Sequence, residues 1–130
     1  MKLVYIAGPY SDANGYHAIE RNIMRAREAA DYLAHRGVGY ICPHLNSAHF
    51  EVIAPDLPRE YWLALGLRLL EGCDAVFLLD HWQYSDGSLA EKQRAEELEI
   101  PVFEYAHLFG LSGSESRGAK WLEAAKDLVS

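Results

Sequence analysis

Cationic residues are in the minority in this 130-residue sequence: 12 Lys and Arg stand against 19 Asp and Glu, for a net charge of −7. A binder of duplex nucleic acid needs a basic footprint, so duplex DNA or RNA is not an expected partner. Long apolar runs are missing too. None approaches the roughly 20 residues of a membrane span, so no membrane partner is expected. Neither G-x-G-x-x-G nor G-x-x-x-x-G-K-[ST] occurs, which removes the common glycine-rich phosphate loops. Cysteine is scarce. Cys42 and Cys73 are the only two, and they read as reduced, buried thiols of a cytoplasmic protein. His44 and His49 do not complete a zinc spacing with Cys42, so no metal and no cofactor is expected. The opening MKLVYIAGPY carries one lysine and no small-residue cleavage site, and reads as a first strand rather than a signal peptide.

What is present is the balance of a globular domain: 50% hydrophobic and 24% charged residues. The length predicts a single domain over residues 1–130, with enough chain for one core. Residues 2–7 are apolar and rich in β-formers, and Gly8-Pro9 ends them. From Tyr16 the period changes. Ile19, Ile23, Ala26, Ala30 and Leu33 recur at helical spacing, and Arg36-Gly37 supplies a stop. Residues 38–42 form a second strand. Residues 44–58 read as a long loop, with room for one helical turn. Residues 59–70 read as a helix with Tyr61, Trp62, Leu65, Leu69 and Leu70 on its apolar side. Residues 75–79 form a fully apolar strand, 80–87 a polar loop, 88–99 a helix and 100–105 a fourth strand. A Gly/Ser-rich loop at 110–118 and a helix at 119–129 follow. Apolar strands alternating with helices imply an α/β fold, a Rossmann/flavodoxin-like three-layer sandwich on a parallel sheet of four or five strands.

In such a sheet, ligands bind beyond the carboxyl ends of the strands. Three segments fall there: Gly8-Pro9-Tyr10-Ser11, Pro43-His44-Leu45-Asn46, and the run from Asp80 to Ser88. The third leads into a helix whose free N–H groups favour an anion. Gly87 lets a ligand approach the backbone, and Glu91 lies one turn further on. Glu91 has two readings. Ser88-Leu89-Ala90-Glu91 fits a capping box, in which the glutamate only bonds back to its own cap; alternatively, the carboxylate faces a sugar at the mouth of the sheet. Ser85 can likewise be a plain cap. Asp74 reads as a loop residue before a buried strand, and Glu96, Glu97 and Glu99 as a solvated helix face.

Taken in order, four marks stand out: V-Y-I-A-G-P-Y at the start, P-H-L-N after the second strand, C-D-A-V-F-L-L in the third, and W-x-x-S-x-G-x-x-x-E from Trp82 to Glu91. Together, over about residues 2–106, they resemble the nucleoside 2-deoxyribosyltransferase-like superfamily. That superfamily includes nucleoside deoxyribosyltransferases, 2′-deoxynucleoside 5′-monophosphate N-glycosidases, and a branch of small bacterial and phage proteins of unassigned function, which this chain looks most like. The resemblance implies that Glu91 is a nucleophile oriented by Tyr5, that Gly8 lies under the sugar, and that Ser85 contacts a 5′-phosphate. It further implies a homodimer or higher homo-oligomer, with 112–117 resembling a region that reaches a neighbouring subunit's phosphate site. Two positions depart from the pattern. Gly66 stands where the hydrolases have a catalytic aspartate, leaving Asp80 and His44 as the proton-donor candidates. Pro9 stands where they have a phosphate-binding serine, with Ser11 near enough to substitute.

The expected function is therefore cleavage or transfer at the N-glycosidic bond of a nucleotide or nucleoside, a 5′-monophosphate above all, through a glycosyl-Glu91 intermediate. Ser85, the N–H groups at Gly87 and Ser88, and Ser11 would hold the phosphate. Trp82, Tyr10 or Tyr84 would flank the base. Two alternatives stay open: a module of the same fold that binds a nucleotide or ribose ligand without cleaving it, and an interaction domain with no ligand. The last helix, with Trp121, Leu122, Ala125 and Leu128, serves either an interface or the monomer's own sheet.

Overall fold

The computed structural model describes residues 1–105 and 117–126. Four strands make one sheet: β1 (Leu3–Ala7), β2 (Gly39–Ile41), β3 (Ala75–Leu78) and β4 (Val102–Glu104), in the order β2-β1-β3-β4. All three pairings are parallel, with Tyr5 opposite Ile41 on one side and Val76 on the other. The helices are α1 (Tyr16–Ala34), α2 (Pro43–Asn46), α3 (Phe50–Ile53), α4 (Arg59–Leu70), α5 (Asp86–Glu97) and α6 (Arg117–Lys126), with a 3-10 turn at Trp82–Tyr84.

The two faces of the sheet follow from the two-residue alternation of side chains along each strand. Val4, Ile6, Ala75 and Phe77 face one way and pack on Ala26, Ala30 and Leu33 of α1 and on Leu122 and Ala125 of α6. Tyr5, Ala7, Val76 and Leu78 face the other way, onto Leu70 of α4 and Ala95 of α5. The result is a three-layer, doubly wound α/β sandwich, as its apolar strands require. Leu122 and Ala125 are buried in the core, so α6 covers the chain's own sheet. Leu128 lies outside the described residues.

Several boundaries move. The loop expected at 44–58 contains two short helices. Pro43 at the first helical position starts one of them. Gly37 turns the chain after α1 in the left-handed region (φ 73°). The face that α4 turns to the sheet is centred on Gly66 and Leu70, and Tyr61 stands exposed. Of the apolar side expected at 61, 62, 65, 69 and 70, Leu70 is fully buried and Leu69 packs on the same cluster, whereas Tyr61 is exposed, edge-on to Trp62. Both cysteines are free and buried, and burial pushes each thiol up to about 11. Asp74 accepts the Leu3 N–H at 2.8 Å, the structural role expected of it. Among the described residues no helix is long and apolar enough to cross a membrane.

Candidate functional site

The strand order reverses direction at β1, which places a crevice beyond the carboxyl ends of β1 and β3. Tyr5 sits one turn of the pleat below that edge and is fully buried, its ring between the sheet and the helices α4 and α5. Its hydroxyl comes up against Gly66 of α4. A Cβ on Gly66 would stand 2.7 Å from that hydroxyl and 3.7 Å from Glu91 Oε2, so the missing side chain is what lets the tyrosine in. Glu91 spans the gap between α4 and its own helix, because its Oε1 lies 3.9 Å from where a Cβ on Gly87 would be. Two glycines thus form a cradle around one carboxylate and one phenol.

Burial pushes the Glu91 carboxyl up to about 7, while the Tyr5 hydroxyl pulls it partway back. Burial and the facing carboxylate push the Tyr5 phenol further above its ordinary range, so it stays protonated. The two groups act on each other's ionisation, and the buried hydroxyl makes no full hydrogen bond among the described residues.

The capping-box reading of Glu91 is overturned. Helix α5 begins at Asp86, and its cap is Ser85, whose Oγ accepts the Ser88 N–H at 3.2 Å. Ser85 has extended backbone angles (φ −115°, ψ 115°), as a cap residue should. The box counted from Ser88 therefore starts one turn too late, and Glu91 is not spent on the helix end. Ser88, expected as a cap, is instead fully buried, with an Oγ that has no hydrogen-bond partner among the described residues.

Glu91, Tyr5, Gly66 and Gly87 line a cavity of about 170 Å³, closed on its other side by Pro43, Arg59, Trp62 and Leu63. A second cavity, of about 340 Å³, shares Pro43, Arg59 and Trp62 with the first and continues to Tyr10, Ser11 and His44. The Tyr10 hydroxyl donates to Glu51 (2.7 Å) and accepts the His49 N–H (2.7 Å), which fixes the ring on this wall. His44 Nε2 bonds the Pro9 carbonyl at 2.8 Å, and burial lowers the histidine's pKa. It is therefore a neutral ring that donates to Pro9 and ties α2 to the end of β1. Arg59 and Leu63 are not marked by the sequence reading, and Trp62 is marked there only as part of an apolar helix face. Their signal was the helical spacing of 59, 62, 63, 66 and 70, which marks one face of α4 around Gly66.

Other expected residues fall elsewhere. Trp82 donates its indole N–H to Glu104 at 2.9 Å, stacks under Lys92, and lines a groove beside β4 rather than the Glu91 cavity. The bond to Glu104 ties the indole to β4. Tyr84 is exposed and apart from both cavities. Asp80 is exposed beside His81, on the α1 side of the sheet with Tyr32 and Arg36, so it is no acid for the Glu91 site. Gly8 is needed for packing, since a Cβ there would meet Leu79 at 2.7 Å. Residues 112–116 lie outside the described residues, and Arg117 donates to the Val102 carbonyl at 3.3 Å. Among the described residues no cluster of three His, Cys, Asp or Glu side chains forms a metal site.

No curated protein matches the chain. Residues 2–105 match the family described as Domain of unknown function (DUF7768). The matched span runs through the end of β4 and takes in every side chain that lines the two joined cavities. The chain belongs to this DUF7768 family.

Proposed function

We propose that the protein cleaves or transfers at the N-glycosidic bond of a nucleotide or nucleoside, with a 5′-monophosphate favoured and Glu91 as the nucleophile. The observation that carries this reading is the Glu91 carboxylate itself. It is released from any capping role, lines a cavity at the carboxyl edge of a parallel sheet, and stands against a buried hydroxyl with no other partner. The resemblance of the sequence to the nucleoside 2-deoxyribosyltransferase-like superfamily points the same way.

In this reading the sugar sits in the smaller cavity and the base in the larger one beside Tyr10. The Glu91 carboxylate attacks the anomeric carbon, the C–N bond breaks through an oxocarbenium-like transition state, and its electron pair leaves with the base. The Tyr5 hydroxyl donates to the carboxylate oxygen that does not attack. Gly66 offers no carboxyl, so the departing base takes its proton from water or leaves as an anion. Water, or a second base, then opens the glycosyl ester and restores Glu91. The Ser85 and Ser11 hydroxyls and the N–H of Gly87 are the polar groups available to a 5′-phosphate, the Ser88 N–H being held by the Ser85 cap.

A second reading has its own observation. With Tyr5 where it is, position 66 accepts no side chain, so the site lacks a built-in acid and suits a module that binds a nucleotide without cleaving it. Base release tells the two apart. Wild type incubated with a panel of nucleosides and 5′-monophosphates is expected to release free base, resolved by chromatography. Wild type that releases none, while a nucleotide raises its melting temperature, leaves the binding module in its place.

A further inference from the structure

Arg59 was not expected from the sequence. It is the first residue of α4, and it lines both the Glu91 cavity and the larger one beside it. It is the only cationic side chain on either lining among the described residues, since the buried His44 is neutral. The other charged groups on these walls are the carboxylates of Glu51 and Glu91, with Asp86 at the start of α5 close by. A phosphate monoester entering here would meet three carboxylates and one guanidinium.

Arg59 is not locked in place. Its Nη2 lies 3.9 Å from Asp86 Oδ2, and the two side chains are 71% and 87% exposed. A pair so open to water is weak and exchanges partners readily. Asp86 is also the first residue of α5, so it holds the guanidinium next to the helix start where Ser85 and the N–H of Gly87 lie. The helix start has a companion feature: the fully buried Tyr5 hydroxyl, without a hydrogen-bond partner among the described residues, on the wall of the same cavity.

We infer that Arg59 is the residue that selects a phosphorylated substrate, leaving Asp86 to pair with the phosphate at the mouth of the Glu91 cavity. This rests on the reading of that cavity as a nucleotide site. Asp86 is then a resting partner that competes with the substrate, and removing its charge tightens binding. A planar guanidinium suits this exchange, because it can present two N–H groups to phosphate oxygens as it did to a carboxylate.

The test uses the full chain carrying Glu91→Gln, so that binding is read without turnover. Melting temperature is followed against a deoxynucleoside 5′-monophosphate, the corresponding nucleoside and inorganic phosphate, with Arg59→Ala, Arg59→Lys or Asp86→Asn added. Arg59→Ala is expected to weaken the monophosphate by roughly tenfold or more relative to the nucleoside. Arg59→Lys should recover part of that loss, and Asp86→Asn should tighten the monophosphate several-fold. Equal weakening of monophosphate and nucleoside by Arg59→Ala, or no change for either, overturns the inference, as does tighter binding of inorganic phosphate alone. The same selectivity ratio is then read as kcat/KM with Glu91 intact. Base release with an unchanged ratio keeps the cleavage reading and removes Arg59 from it. Arg59-dependent binding without base release does the reverse.

Discussion

Replacing Glu91 by Gln is expected to stabilise the protein, and only above the pH at which the carboxyl ionises in the unfolded chain. Burial raises this carboxyl from 4.5 to about 7. Below pH 4.5 it is neutral in both folded and unfolded chains, and Glu and Gln should differ little. Between 4.5 and about 7 the unfolded chain releases the proton while the folded chain keeps it, so wild-type stability falls relative to the variant as pH rises. Above about 7 both states are ionised and the gap stays constant. A displacement of that size corresponds to about 3 kcal/mol. In a domain of this length that is on the order of 10 °C in melting temperature. The glutamine amide keeps the shape of the carboxylate and can still accept from Tyr5. Urea unfolding of both proteins from pH 5 to pH 9 checks the prediction. A gap that does not change with pH, or a variant less stable at every pH, would refute the claim that a desolvated carboxylate is held in the cradle at cost to stability.

Three further outcomes follow from the same geometry. Gly66→Ala should destabilise by roughly 1–3 kcal/mol, because the new methyl meets the Tyr5 hydroxyl. Adding Tyr5→Phe should recover much of that loss, which a double-mutant cycle by denaturant unfolding would reveal as coupling. Ser85→Ala should cost about 1 kcal/mol through loss of the α5 cap, read by thermal melting, whereas Ser88→Ala should leave the helix end intact. The kcat/KM for base release should rise tenfold per pH unit up to about pH 7 and level off above it, as Glu91 becomes a carboxylate. In Tyr5→Phe that limb should move to higher pH, because the hydroxyl is what draws the carboxyl down; a limb that stays put would separate the titration from Glu91.

The layers of the fold were legible because the strands are apolar on both faces, a pattern that only a sheet covered on both sides tolerates. The bounds of helix α4 and most of its buried face are legible in the spacing of its large side chains, Tyr61 excepted. The tightest contact on that face is made by Gly66, which periodicity counts as a blank. The start of α5 was misplaced because Ser85 and Ser88 each suit an N-cap. The 3-10 turn at Trp82–Tyr84 decides in favour of Ser85 by delivering it in an extended conformation. Glu91 and Tyr5 were singled out from the sequence and are brought together. Trp82 and Asp80 were singled out with them and are not, since spacing along a loop does not say which way a turn aims its side chains. Arg59 was passed over because a charged residue at a helix start is ordinary, and its place on both cavities depends on α2 and α3 folding across from it.

The central claim is that the Glu91 carboxylate forms a bond to the sugar. A deoxynucleoside 5′-monophosphate with fluorine at the 2′ carbon tests it most directly, because the electron-withdrawing fluorine disfavours the oxocarbenium-like transition state that opens the glycosyl ester. Wild type is mixed with this compound, quenched in acid, digested and analysed by mass spectrometry. The account predicts one equivalent of free base and the mass of the fluorinated sugar phosphate on the peptide that carries Glu91, with neither in Glu91→Gln. Base released while that peptide keeps its unmodified mass, or base released equally by Glu91→Gln, would contradict it.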